Sequence, residues 1–523
     1  PTVEDHGYES AFSVIEMVND DMPFLVESVL AAINRQGLTV HITVHPIIRV
    51  ARNSRGKIDK ILERDAPQGR LESFIRFAID KETDAQQINL LKQEILKVLA
   101  DVRGAVRDWP KMRENMVETR VLLEFGPTGV DEEMRRESQQ LLEWMVNDHF
   151  TFLGYREYKL SYQKSKIFLK PVEGSGLGLL SHDERGQNKT VELTREMQRL
   201  ARARDWLILT KANSRSTVHR HVYLDYIGIK EFDKAGKAIG ERRFIGLFTS
   251  AAYSESPRSI PLLRHKVRKV VERAHVEATG HRGKALMHIL DTFPRDELFQ
   301  SSIPDLSRTA IGILNLQDRQ RVRFFLRRDT FRRFFSCLVF VPRERYTTAV
   351  RRRIESVLKD SFEGSSVDSS VEISESPLAR LHTIVRTPPS ERPRISIQDI
   401  EAKLAEVVVS WSDRLRAEML EAFGDDEGHK LFKIYGSIFP PGYQAETEAK
   451  DACSDISSID RMLSAGVSRS VELYRPSDAE PGFLHFMIFS AGQPLALSQA
   501  LPILEGMGLE VHTEHPYELN LQN

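Results

Sequence analysis

The 523-residue sequence is poor in cysteine, with only Cys337 and Cys453. They lie far apart and neither belongs to a Cys-x-x-Cys pair, which argues against a disulfide framework and a thiolate zinc site and for a reducing compartment. No apolar run approaches membrane-spanning length. The first ten residues are polar and acidic, unlike a signal peptide. The expected location is therefore cytoplasmic, with no membrane partner. Neither sign of charge dominates: 74 Lys and Arg stand against 75 Asp and Glu, a formal net charge of −1. Such a balance supplies no whole-molecule attraction to nucleic acid or to an anionic surface. The start at Pro1, not Met, and the stop just after a strand-like run lead us to expect a piece of a longer chain.

Signatures of catalysis are also scarce. Dinucleotide binding needs G-x-G-x-x-G between a strand and a helix. The nearest match, Gly174-Ser175-Gly176-Leu177-Gly178, has its third Gly misplaced and is followed by a polar loop over residues 181–189. This reads as a flexible loop between strands. There is no phosphate loop and no G-x-S-x-G nucleophile elbow. His41 and His45 share a strand face but sit about 13 Å apart at strand rise, too far to share a metal. His219 and His221 lack an evident third ligand. His281 and His288 fit a solvent face or a helix contact, and Asp425-Asp426 a helix cap or a solvated turn. No catalytic, cofactor-binding or metal-ligating set emerges.

What is present is length and pattern. A chain of this size needs several cores. Residues 12–18 are strand-like. Asn19, Asp20 and Asp21 then offer caps to a helix, with Pro23 suited to its first turn. Leu25, Val26, Val29, Leu30 and Ile33 form a stripe at helical spacing. Alternation over residues 38–45 predicts a half-buried strand. Strands are expected at 57–62 and 71–79. A second helix is expected from Asp84, with Gln87 as a capping-box-like partner and a stripe through Ile88, Leu91, Ile95, Val98, Leu99 and Val102. The order strand, helix, three strands, helix is close to a ferredoxin-like α+β sandwich, the architecture of ACT domains.

Two similar patterns follow. In one, strands at 334–341, 371–373 and 381–386 surround a helix at 347–359, and a long helix is expected over 396–423. In the other, a helix at 494–505 lies between strands at 484–489 and 509–515. Between the first two units, strand-rich stretches at 150–160, 166–172, 206–209, 216–232 and 241–253 follow a helix at 132–145. They suggest an antiparallel, PAS-like sheet. Residues 259–290 read as helical and 388–394 as a linker. The fold class is thus multidomain α+β, divided as an ACT-like domain (1–108), a helical lead-in with the PAS-like sheet (109–255), a helical segment (256–318), a second ACT-like domain (319–392), a helical linker (393–465) and a truncated third ACT-like domain (466–523).

Eleven arginines, from Arg321 to Arg353, are interleaved with Phe324, Phe325, Phe331, Phe334 and Phe335. RNA-recognition domains share the ferredoxin-like layout and stack bases on sheet aromatics, so a nucleic-acid-binding module is the alternative function. The absence of an RNP1 pattern and the neutral chain weigh against it. The competing reading puts the Phe side chains in a core and the Arg side chains against acidic neighbours.

Several stretches resemble the large, bacterial-type NAD-dependent glutamate dehydrogenases. They are V-N-D-D-M-P-F-L-V at 18–26 with G-L-T-V-H at 37–41, F-T-F-L-G-Y-R at 150–156, Y-L-D-Y-I-G at 223–228 with G-E-R-R-F-I-G-L-F-T-S at 240–250, T-F-P-R-D-E-L-F at 292–299, and Y-G-S-I-F-P at 435–440. The resemblance runs over almost the whole chain. It implies three ACT-like domains, a PAS-like domain and helical linkers placed ahead of a catalytic domain. That domain would bind NAD and oxidise L-glutamate to 2-oxoglutarate and ammonia. This piece shows neither the Gly-rich segment with its reactive Lys nor the nucleotide fold. It is expected to be a non-catalytic regulatory and oligomerisation region, without a cofactor of its own, whose partners are its own catalytic domain and other subunits. ACT domains often bind amino acids where the first strand meets the first helix. The matching effector candidates are Asn19, Asp20, Asp21 and Met22 in the first copy and Ser490 and Gly492 in the third. The usual Gly after Pro23 is Phe24, and none follows Pro494.

Overall fold

The computed structural model describes residues 4, 7–123, 131–163, 166–181, 189–277, 279–316, 321–374, 376–388, 395–474 and 484–521. The polar loop and the linker expected at 181–189 and 388–394 lie mostly outside them. The chain forms two units. The first holds residues 1–319, 326–336 and 386–391; the second holds 320–325, 337–385 and 392–523.

The first unit opens with β1 (Ser13–Asp20), α1 (Leu25–Arg35), β2 (Val40–Val44), β3 (Ile47–Arg52), β4 (Ile58–Leu62), β5 (Arg70–Ile79) and α2 (Ala85–Leu122). The sheet order is β1-β5-β3-β4, with β2 also paired to β5. Strands β2 and β3 follow one line along β5, broken at His45-Pro46, where proline has no N–H to give the ladder. The crossover from β1 through α1 leaves a one-strand gap that β5 fills antiparallel to both neighbours. The helical stripe is realised: Leu25, Val29 and Ile33 are buried with Phe77, Val98 and Val102 in one core.

Two cap expectations change. Asn19 and Asp20 stay in β1, so neither caps α1. Phe24 starts that helix in the left-handed region at φ 72°, with no side-chain cap. Asp84 does cap α2, but by accepting the N–H of Gln86. Helix α2 does not stop near Val102: it runs through Gly104 and Pro110 for 38 residues. Its later half buries Met112 and Met116.

After α3 (Glu132–Trp144) come β6 (Phe150–Gln163), β7 (Lys166–Pro171), β8 (Leu177–Gly178), β9 (Val191–Glu192), α4 (Arg195–Arg202), β10 (Leu207–Arg215), β11 (Tyr223–Phe232) and β12 (Ala238–Phe248). They form an antiparallel seven-stranded sheet, β10-β11-β12-β6-β7-β9, with β8 on β6. The strand expected over 216–232 begins only at Tyr223. Residues 216–222 form a loop closed by Ser216 N–H to Val222 O at 2.8 Å. The strand expected to run to residue 253 ends at Phe248, and α5 (Ser250–Ser254) takes its place.

The expected helix over 259–290 is two helices, α6 (Leu263–Ala274) and α7 (His281–Asp291), separated by a left-handed His275. The short α8 (Arg295–Gln300) and α9 (Ile303–Leu314) follow.

The next sheet has the order β13 (Arg323–Arg328), β14 (Phe334–Pro342), β16 (Leu378–Arg386), β15 (Ser366–Glu372), with α10 (Thr348–Ser361) between β14 and β15. The sequence reading had missed β13. The long helix expected over 396–423 breaks into α11 (Ile397–Val408) and α12 (Trp411–Phe423), because Ser410 and Asp413 form a reciprocal capping box. With α13 (Asp425–Tyr435), α14 (Pro441–Glu446) and α15 (Ala449–Ser464), α12 closes a helical core around Leu415, Met419 and Ile456. The chain then forms a hairpin, β17 (Arg469–Tyr474) with β18 (His485–Ser490), and α16 (Leu497–Gly506). No strand forms at 509–515. A strand needs a ladder partner, and β17 and β18 pair only with each other among the described residues. Tyr517 and Leu519 instead pack on the helical core.

Candidate functional site

The turn from β1 into α1 is tied to α2 and β5 by hydrogen bonds. Asn19 is buried; its side-chain oxygen accepts Arg103 Nε of α2 at 2.8 Å, and its amide donates to Asp20 O at 2.7 Å. Asp20 is exposed beside Arg70 at 3.3 Å. The Asp21 carboxylate accepts the Ser73 hydroxyl at 2.6 Å, and its N–H donates to Leu71 O at 3.0 Å. Met22 is half-buried against the core.

The loop over residues 216–222 of the seven-stranded sheet packs over this turn. Val218 is fully buried in the ACT-like core. The N–H of His219 donates to Ser28 Oγ at 2.9 Å, and the His219 ring lies 5.0 Å from that of Phe24. Thr217 donates to Asp101 at 2.6 Å, and Arg35 meets His221 Nδ1 at 3.0 Å. Burial pushes the pKa values of both histidines down. Four of the effector candidates are thus gathered at one turn, with a neighbouring loop seated there. Alternation over 216–222 resembles a strand, so no local signal marked this loop as a docking segment.

The third-copy candidates lie on the second unit's surface. Ser490 donates to Gln493 O at 3.0 Å, and Gly492 adopts φ 94° in open space. This is an exposed turn.

The sequence reading missed the role of α8. Three consecutive charged residues tie it to residues 253–255, to β10 and to β13. Arg295 donates to the carbonyls of Tyr253 and Glu255 at 3.2 and 2.7 Å. Asp296 meets Lys211 at 3.1 Å and accepts Tyr253 Oη at 3.1 Å. Glu297 holds Arg327 through two bonds of 2.7 Å. Lys266 donates to Leu298, Phe299 and Ser301 carbonyls at 2.8–3.0 Å, covering the end of the helix. Lys211 also bonds the buried Asp225 at 2.6 Å. The one available signal was the run Arg-Asp-Glu just after Pro294.

The arginine-rich segment meets acidic side chains. Arg323 pairs with Glu401, Arg327 with Glu297, Arg332 with Glu196, Arg333 with Asp329 and Arg345 with Asp413. Phe324, Phe334 and Phe335 are buried. Stacking platforms for bases need exposed rings, so the interleaving reflects packing and ion pairing.

The glycine cluster is structural too. A Cβ at Gly176 would lie 2.4 Å from Leu180 O, and one at Gly178 2.3 Å from Leu153 O. Among the described residues no three His, Cys, Asp or Glu side chains gather as a metal site. No helix among them is long and apolar enough to cross a membrane.

These features describe a chain of α/β modules and helical connectors, with the turn at Asn19 and helix α8 tied to their neighbours by hydrogen bonds and ion pairs. Comparison with known proteins gives the modules a class. Stretches match models of glutamate dehydrogenase modules: the ACT1 domain (1–95), helical motif 1 (260–319), the ACT2 domain (323–412), helical motif 2 (418–462) and the ACT3 domain (468–523). Over 99 % of its length the chain is 35 % identical to the NAD-specific glutamate dehydrogenase of Halomonas elongata, covering 32 % of that protein. It is also 35 % identical to that of Pseudomonas aeruginosa over 100 % of the chain and 32 % of the relative. The Mycobacterium tuberculosis protein of the same name is 28 % identical over 97 % of the chain and 31 % of the relative. The chain spans about a third of the length of these relatives.

Proposed function

We propose that this chain is the regulatory and oligomerisation region of an NAD-dependent glutamate dehydrogenase and performs no chemistry itself. The observation that carries this reading is the run of three ACT and two helical modules along a chain similar over nearly all its length to such enzymes. In the parent protein L-glutamate, NAD and water would give 2-oxoglutarate, ammonia and NADH, with NAD held by a catalytic domain outside this sequence. The modules would contact that domain and other subunits of a cytoplasmic homo-oligomer and pass on the binding of an amino-acid effector. A coupling of about 1–3 kcal/mol suffices for a several-fold change in affinity.

The test is direct. This chain, incubated with L-glutamate and NAD, is expected to give no NADH absorbance, while sedimentation shows self-association. Steady turnover by the chain alone would overturn the reading.

A further inference from the structure

The seven-stranded sheet carries a second cluster on one face, away from the turn at Asn19. Register places Tyr158 opposite Glu241, Glu241 opposite Lys230, Arg243 opposite Gly228, and Gly228 opposite Ile208. Strand alternation puts these residues on the same face. Helix α4 covers them and leaves a cleft with an empty volume of about 400 Å³, including open solvent at its mouth. Its walls are mostly apolar, with Leu160, Leu169, Leu193, Met197 and Ile208 among them, and Lys230, Glu241 and Arg243 are its charged members.

Arg243 is poised for a ligand. Its Nε donates to Glu241 Oε1 and to Tyr226 Oη, each at 3.0 Å. Its guanidinium lies 4.0 Å from the centre of the Tyr158 ring and 4.9 Å from that of Tyr226. The two terminal nitrogens have no acceptor among the described residues, so one edge of a fixed planar fork remains open. That geometry matches a carboxylate. Gly228 makes room for the arrangement: a Cβ there would come within 2.9 Å of Tyr226 and 3.2 Å of Glu241. Lys230 is tied to the carbonyls of Leu200 and Ala203 at 2.7 and 2.8 Å. The cleft therefore presents two cations to one carboxylate, and Asp205 stands outside its lining. Tyr158, buried among the cleft's apolar residues, has a hydroxyl without a partner.

We propose that this cleft binds a small carboxylic acid with a short apolar chain. The carboxylate lies on the open edge of Arg243, and the tail lies among Leu160, Leu169, Leu193 and Met197. This deepens the regulatory reading, on which it rests only for the purpose of binding, by placing an effector in the sheet domain. The probes are butanoate and its neutral isostere butanamide, titrated calorimetrically into this chain. Saturable butanoate binding is expected, at least tenfold tighter than butanamide. It should be lost in Met197→Trp and in Ile208→Trp, which fill the cleft from opposite sides, with circular dichroism identifying the variant that keeps its fold. Silence with butanoate, equal affinity for the amide, or unchanged binding in a folded filled variant each overturns the proposal. None of these results touches the dehydrogenase reading, which the turnover assay tests separately.

Discussion

The backbone N–H of His219 donates to the hydroxyl of Ser28 at 2.9 Å, joining residues 191 positions apart. The bond fastens a loop of the seven-stranded sheet to the first turn of an ACT-type helix. Ser28 is fully buried. Ser28→Ala removes the acceptor of that part-buried N–H and should cost about 0.5–1.5 kcal/mol. Urea unfolding measures it; an unchanged midpoint would mean that the loop is held by other contacts.

The glycine run at 174–178 offers a sharper separation of roles. Gly176→Ala and Gly178→Ala each push a methyl into a backbone carbonyl, and Gly178 also has φ +57°. Each variant should lose about 1–3 kcal/mol or more. Differential scanning calorimetry reports the loss, and a melting temperature equal to wild type would remove the packing explanation.

Much of the first module was legible because its signals are local. The stripe Leu25, Val29, Ile33 needs only helical periodicity, and all three are buried. Ile88 sat in the next stripe but is 47 % exposed, while Leu91, Ile95, Val98, Leu99 and Val102 face the core. The first turn of α2 precedes its contact with the sheet, which periodicity cannot show. Asn19 has the chemistry of a cap, yet Arg103, 84 residues away, claims its oxygen. The same limit hid the work of Asp296 and Glu297, whose partners Lys211, Tyr253 and Arg327 lie far away in sequence. Nothing local in G-E-R-R-F marks Arg243; only the register of β11, β12 and β6 gathers its neighbours.

The buried charges around Lys211 supply a third expectation. Burial pushes the Asp225 carboxyl above its usual range, and Lys211 pulls it back. Lys211→Met would leave Asp225 and Asp296 facing each other without a cation, at a cost of about 3–5 kcal/mol. Adding Asp225→Asn should recover part of that loss. Guanidinium titration of the single and double variants decides it: strict additivity would mean that the two side chains do not act together.

Asp455 sets a pH dependence in the second unit. It is 2 % exposed, accepts the Tyr443 hydroxyl, and burial raises its pKa to about 6. The folded state therefore holds this proton more tightly than the unfolded chain, whose aspartate titrates near about 3.9. The contribution favours folding below pH ~4 and is lost as pH rises through about 6. Asp455→Asn keeps an acceptor for Tyr443 and removes the charge. It should be more stable than wild type at pH 8 by up to about 3 kcal/mol, with the advantage vanishing towards pH 4. Parallel stability curves across that range would rule out this role.

Helix α2 begins on the core of the first ACT-type sheet and ends beyond it, at Leu122. At about 1.5 Å per residue its 38 residues reach about 57 Å, with Pro110 the one place where the backbone ladder lacks a donor. A rod of that length is a lever: one degree of rotation at its first turn sweeps its far end through about 1 Å. Displacements too small to reorganise the sheet around Asn19 would thus arrive at the last turn of the helix as movements the size of a packing contact.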